Sequence, residues 1–127
     1  TGSGYQAAVL AEIVEQVYTI EIIPELCQRA QQTLTALGYQ NIHVKCGDGY
    51  EGWPEFAPFD AIMLTAAPTI IPQELTKQLK VGGRMILPVG KYYQDLVLLK
   101  KMPDGKLKKQ KLIPVRFVPM TGQAEKN

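Results

Sequence analysis

The sequence predicts an α/β fold: a mostly parallel sheet closed by a C-terminal antiparallel hairpin. Three observations carry this. Helical patterns and short β-branched runs alternate from residue 7 to residue 89, the order produced by right-handed βαβ crossovers. The run 59–65 is nearly all apolar, as suits a strand covered on both faces. Two later strand-like runs flank Pro103-Asp104-Gly105, a compact turn signal.

Each element has a local reason. Residues 7–14 (AAVLAEIV) are strong helix formers that follow a Gly-Ser-Gly turn. Residues 17–22 are β-branched and aromatic, so they read as a strand ending near Glu21. Pro24 suits a helix first turn, and Leu26, Ala30, Leu34 and Leu37 keep helical spacing until Gly38. Residues 42–46 alternate as a strand and break at Gly47-Asp48-Gly49. The stretch 47–58, rich in Gly and Pro and holding Trp53, reads as a loop with room for one helical turn. A short helix at 72–79 and the Gly82-Gly83 turn lead into a strand at 84–89. The hairpin strands are expected at 94–102 and 107–118, and the polar tail from Gly122 is expected to fray.

With 127 residues, 46% hydrophobic and 20% charged, the chain suits one globular domain. It has no run long enough to span a membrane and no basic-plus-hydrophobic leader. The cysteine pair, Cys27 and Cys46, is too small for a disulfide scaffold and fits neither a CxxC pair nor a zinc site. Both thiols are expected as small buried hydrophobes in a reducing cytoplasm, with no metal bound. Charge is uneven: residues 1–75 sum to −7 and residues 76–127 to +9. Lys100, Lys101, Lys106, Lys108, Lys109 and Lys111 supply most of the excess. They read as the solvated, aggregation-resistant face of the hairpin.

Open α/β sheets bind ligands at the carboxyl ends of their strands. Three features gather there. Gly2-Ser3-Gly4 leads into a helix whose free N–H groups face outward. Glu21 ends a strand 19 residues after Gly2, a position suited to ribose hydroxyls. Asp48, flanked by Gly47 and Gly49, follows the next strand and could accept from an adenine amino group. Together they point to a nucleoside-containing cofactor. Gly2-x-Gly4-x-x-Ala7 also fits a dinucleotide, but no second nucleotide-binding half or hydride-transfer site is evident. His43, the sole histidine, lies in mid-strand and reads as a core or sheet-face residue.

These residues carry a resemblance. Thr1-Gly2-Ser3-Gly4-Tyr5, Glu21, Gly47-Asp48-Gly49 and Phe59-Asp60-Ala61-Ile62 resemble class I S-adenosylmethionine-dependent methyltransferases, a Rossmann-like fold. More narrowly, GDGYEGWPEFAPFDAIMLTAAP, GGRMILPVG and VRFVPMTG are similar to the protein-L-isoaspartate O-methyltransferases. The likeness covers residues 1–122, read as the methyltransferase domain, with 123–127 as a polar tail.

The resemblance implies protein repair. A methyl group would pass from S-adenosyl-L-methionine to the α-carboxyl of an L-isoaspartyl residue, leaving S-adenosyl-L-homocysteine. The ester would then close to a succinimide. By position, Thr1, Gly2, Ser3, Gly4, Glu21, Asp48, Gly49 and Thr65 would bind the cofactor. Ala66, Ala67 and Pro68 would border the transferred methyl, and Val115, Arg116, Phe117 and Val118 would pair with the substrate backbone. Isoaspartyl proteins and peptides are the expected partners of a monomeric cytoplasmic enzyme, with neither membrane nor nucleic acid involved.

The chain also departs from that family. It opens in mid-motif, without the strand that precedes the glycine loop and without the upstream serine regarded as the family's active-site residue. That strand would lie centrally, between 17–22 and 59–65. The catalytic residue is therefore unassigned, and the 127 residues alone are expected to be poorly stable and weakly active or inactive. The alternatives are another class I methyltransferase, acting on RNA through the lysine hairpin or on a small molecule, and a non-catalytic cofactor-binding module.

Overall fold

The computed structural model describes residues 1–126, so position 127 of the expected tail lies outside the described residues. The chain divides into two compact units, one over Thr1–Gly49 and the other from Tyr50 onward.

The first unit holds α1 (Tyr5–Ala11), β1 (Val17–Glu21), α2 (Pro24–Ala36) and β2 (Ile42–Cys46). β1 and β2 pair in parallel with Val17 opposite Ile42 and Glu21 opposite Cys46, the crossover the sequence predicts. Pro24 occupies the first turn of α2, and Gly38 follows its end with φ 85°. Ala7, Val17 and Leu34 form the buried centre, with Leu10, Tyr39, Ile42 and Val44 packed around them. α1 stops at Ala11, short of the expected residue 14, because Asn41 Nδ2 donates to the Ala11 carbonyl at 3.0 Å and draws it out of the helical pattern. His43 sits half-buried on the sheet face, stacked on Tyr18 with ring centroids 4.8 Å apart.

The two cysteines overturn their expectation. Cys27 is fully buried, but Cys46 is exposed, and the two form a disulfide. The βαβ crossover brings their Cα atoms to 5.6 Å, within bridging range. That proximity is tertiary and leaves no trace in the 19-residue spacing.

The second unit holds β3 (Phe59–Met63), α3 (Gln73–Lys77), β4 (Leu79–Val89), β5 (Gln94–Lys101) and β6 (Leu107–Val115). Its sheet runs β3-β4-β5-β6, with β3 parallel to β4 and the other neighbours antiparallel. Met85 and Leu87 of β4 face Leu99 and Val97 of β5. With Leu75 and Leu79 they make a core on one side of the sheet. The turn 103–105 forms as expected, with Gly105 N–H donating to Met102 O at 2.8 Å.

Several boundaries differ. β4 begins at Leu79 rather than 84, since Gly82 and Gly83 lie inside the strand and its register shifts between Phe59 and Ala61. β3 is not covered on both faces: Asp60, Ala61 and Met63 are exposed, and among the described residues β4 pairs with one of its edges. Residues 47–58 contain two 3₁₀ turns, Gly49–Glu51 and Pro54–Phe56. β6 ends at Val115, three residues early, because its partner β5 begins at Gln94 and offers no residue beyond it. The tail is ordered as a 3₁₀ turn, Gly122–Lys126, with Ala124 buried.

Candidate functional site

In the first unit the glycine loop lies at the carboxyl ends of β1 and β2. Gly4 caps α1 with φ 92°, and a Cβ there would press to 3.2 Å from the Leu34 side chain, so both backbone and space call for glycine. Gly2 N–H donates to Glu21 Oε1 at 2.7 Å, and Ile23 N–H donates to Oε2 at 3.1 Å. The Thr1 hydroxyl donates to the Ile20 carbonyl at 2.9 Å, and its oxygen lies 2.6 Å from the Thr19 hydroxyl. Thr1 has one hydroxyl proton, so Thr19 is the donor of that second bond. Gly47 N–H donates to the Glu21 carbonyl at 3.0 Å, which sets Asp48 beside the same strand end. The predicted residues Thr1, Gly2 and Glu21 are thus tied into one cluster, with Asp48 next in the chain after Gly47. Ser3 is exposed on the loop, and Gly49 opens the first 3₁₀ turn.

Glu21 is the electrostatic centre of this cluster. Its burial, to 8% exposure, by itself favours the neutral acid. Against this, the Gly2 and Ile23 N–H groups stabilise the charged form, and the carboxyl lies below its ordinary value of 4.5. Each carboxylate oxygen takes one backbone N–H and keeps a second acceptor site. The pair therefore fits two vicinal hydroxyls, as a ribose presents. A cleft lined by Gly2, Ser3, Leu26, Arg29 and Thr33 lies on the α2 side of the loop. Its volume of about 120 Å³ is too small for a nucleoside.

In the second unit the predicted substrate segments meet. Ala67 N–H donates to the Val118 carbonyl at 2.7 Å, and Met120 N–H donates to the Ala67 carbonyl at 2.9 Å, a short parallel bridge. Ala67 and Pro68 are buried, while Thr65 and Ala66 lead to them along the loop after β3. Val115 and Phe117 are half-buried and Arg116 and Val118 exposed, the alternation of an extended segment.

Two buried glutamines escaped the sequence reading. Gln94 Nε2 donates to the Phe117 carbonyl at 3.0 Å, and Phe117 N–H donates to Gln94 Oε1 at 2.7 Å. Gln78 likewise receives Trp53 N–H at 2.9 Å and donates to the Glu51 carbonyl at 2.9 Å, spanning Gly52. The available signal was an amide-bearing residue at the mouth of an apolar strand. Among the described residues no cluster of His, Cys, Asp and Glu could hold a metal ion, and no helix is long and apolar enough to cross a membrane.

The comparisons agree with one another. The family described as Protein-L-isoaspartate(D-aspartate) O-methyltransferase (PCMT) matches residues 1–125. A protein-L-isoaspartate O-methyltransferase of Gloeobacter violaceus is 58% identical over 123 residues, covering 95% of this chain and 60% of that protein. One from Picosynechococcus is 56% identical over 124 residues, covering 98% and 55%. The chain therefore spans a little over half the length of these relatives. Among solved structures, a protein-L-isoaspartate O-methyltransferase superposes with a TM-score of 0.92 at 35% identity, covering 97% of this chain and 40% of that one. A Plasmodium falciparum structure named for the same family, in complex with S-adenosyl-L-homocysteine, gives 0.79 at 24% identity, covering 94% and 62%, a likeness of fold. The fold is that of a class I methyltransferase, and the chain belongs to the protein-L-isoaspartate O-methyltransferase family.

Proposed function

We propose that the protein to which these residues belong repairs damaged proteins by methylating the α-carboxyl of L-isoaspartyl residues. The observation that carries this is the bridge from Ala67 to Val118 and Met120. It draws the loop expected beside the reacting methyl against the segment expected to pair with a peptide. Family membership and the Glu21 cluster support the same reading.

S-adenosyl-L-methionine, when bound, supplies a methyl group already activated as a sulfonium. Glu21 holds the ribose through both carboxylate oxygens, Thr1 to Gly4 line the amino-acid portion, and Asp48 and Gly49 border the adenine. Thr65 completes the cofactor set. Ala66, Ala67 and Pro68 orient the substrate carboxylate, while residues 115–118 receive the peptide backbone by strand addition. A carboxyl with a reference pKa of about 3.9 is ionised at neutral pH and needs no general base. Alignment and exclusion of water are then the main tasks. The family's serine has no counterpart among these residues, so no side chain here is given the catalytic role. We place residues 1–122 in one monomeric methyltransferase domain working in the cytoplasm, where a thiol pool would meet the Cys27–Cys46 bond.

The test is methyl transfer from labelled S-adenosyl-L-methionine to a matched pair of peptides, one isoaspartyl and one aspartyl. It is run on this chain and on the chain joined to the upstream portion of the Gloeobacter relative, with and without dithiothreitol. Label on the isoaspartyl peptide alone is the expected result, greatest in the extended form. Label on neither peptide, from a form that binds S-adenosyl-L-homocysteine, would overturn the substrate assignment.

A further inference from the structure

We propose that Gln94 is a positioning residue for substrate, holding residues 115–118 in the extended form that a peptide can pair with. The inference rests on the proposed function, because it takes that segment as the substrate's docking strand. The backbone ladder of β5 and β6 ends with Gln94 opposite Val115. One rung further, Phe117 would need residue 92 as its partner. The chain bends away there instead, over 91–93, and Tyr92 and Tyr93 are exposed. The Gln94 side chain supplies the missing rung. Its amide oxygen and one of its two N–H donors stand in for the C=O and N–H of a backbone residue, and both Phe117 groups use them, at 2.7 and 3.0 Å.

The geometry then fixes which edge is free. In an extended segment successive residues turn their N–H and C=O groups to opposite sides. Phe117 faces Gln94, and the Val118 carbonyl faces Ala67. Arg116 therefore turns its peptide groups to the Ala67 side, next to the bridge and in line with its continuation. An incoming peptide that pairs with Arg116 extends the short strand begun at Ala67. Gln94 touches no substrate in this arrangement; it holds the far side of the rung so that Arg116 stays in register. Gln94 is 9% exposed, and its amide oxygen and nitrogen are both engaged by Phe117.

The experiment uses whichever protein form turns over in the peptide assay. Gln94→Met keeps the length and removes both hydrogen bonds; Gln94→Asn keeps the amide but falls short of Phe117. Both are expected to raise KM for the isoaspartyl peptide about tenfold, the weight of roughly one net hydrogen bond. kcat stays within about twofold and S-adenosyl-L-homocysteine affinity is unchanged. Hydrogen exchange at the Phe117 amide accelerates, while that at Val97 and Leu99 in the core does not. An unchanged KM overturns the proposal. So does a joint fall of kcat, cofactor affinity and thermal midpoint, or failure of both variants to fold, since each marks a structural residue. If no form of the unaltered protein methylates the peptide, the functional reading itself has failed and this proposal falls with it.

Discussion

Glu21 keeps its charge where burial opposes it, and the consequence is a pH signature. Its folded-state value lies below 4.5, so its contribution to stability is complete above that pH. As pH falls from there through the lower folded value, the carboxylate is protonated and the contribution is lost. Gln at this position can accept one of the two N–H bonds but meets the other with its own NH₂ group. Glu21→Gln is expected to cost about 1–3 kcal/mol at neutral pH, the penalty for one unmet buried donor. It should also weaken S-adenosyl-L-homocysteine binding about tenfold or more. Urea unfolding of both proteins at about pH 6 and about pH 3.5 checks the sign: the gap between them must narrow in acid. A gap that stays constant would mean that Glu21 holds its loop by packing and not by charge. This residue was legible in the sequence because a strand end and a glycine turn fix its place. Thr19, its neighbour in the cluster, was not, since a threonine inside a strand signals only β-propensity.

Among elements, legibility followed local punctuation. α2 was readable because Pro24 and Gly38 bracket it, and the hairpin turn because Pro103-Asp104-Gly105 has few other conformations open to it. The start of β4 was not, as Gly82-Gly83 signals a turn in isolation and here is carried through by pairing with β3. The loop after β2 depends on a contact that no local signal announces. Gly52 sits at φ 64°, and a Cβ there would run into the Gln78 amide that holds Glu51 and Trp53. Gly52→Ala should therefore destabilise by about 1–3 kcal/mol, from the disfavoured backbone and the two displaced hydrogen bonds. The Cys27–Cys46 bond ties α2 to the end of β2 and restricts the unfolded chain over a 19-residue separation. Its reduction is expected to cost about 3 kcal/mol. Thermal melts with and without dithiothreitol measure this, and a Cys27→Ala/Cys46→Ala double variant, already without the bond, should not respond to the reagent.

At the scale of the whole molecule, charge and fold class were both written in the sequence, but only the fold class announced its arrangement. Strand and helix order sufficed for the α/β reading because βαβ connection leaves few alternatives. The net +9 of residues 76–127 gave the hairpin its sign and no more. Register supplies the rest: Arg84 of β4 stands opposite Lys100 of β5, which stands opposite Lys108 of β6. All three are exposed, and like charges directly opposite one another destabilise a sheet. Lys101 and Lys111 stand outside that row, opposite Leu107 and Val97; Lys101 donates to the Thr76 and Leu79 carbonyls, and Lys111 reaches Asp95 at 3.5 Å. Added salt should therefore raise the thermal midpoint of the unaltered chain by screening the row. Lys100→Glu, which sets an acid between two cations, should raise it at low salt by an amount that shrinks as salt is added. Were the row instead a contact for RNA, neutralising Lys106, Lys108 and Lys109 would reduce a salt-sensitive RNA affinity. The repair reading expects those three changes to leave methylation of the isoaspartyl peptide unaltered, because none of them lies in the segments that meet at Ala67. A loss of peptide turnover on their neutralisation would instead draw the hairpin into the surface that receives the peptide.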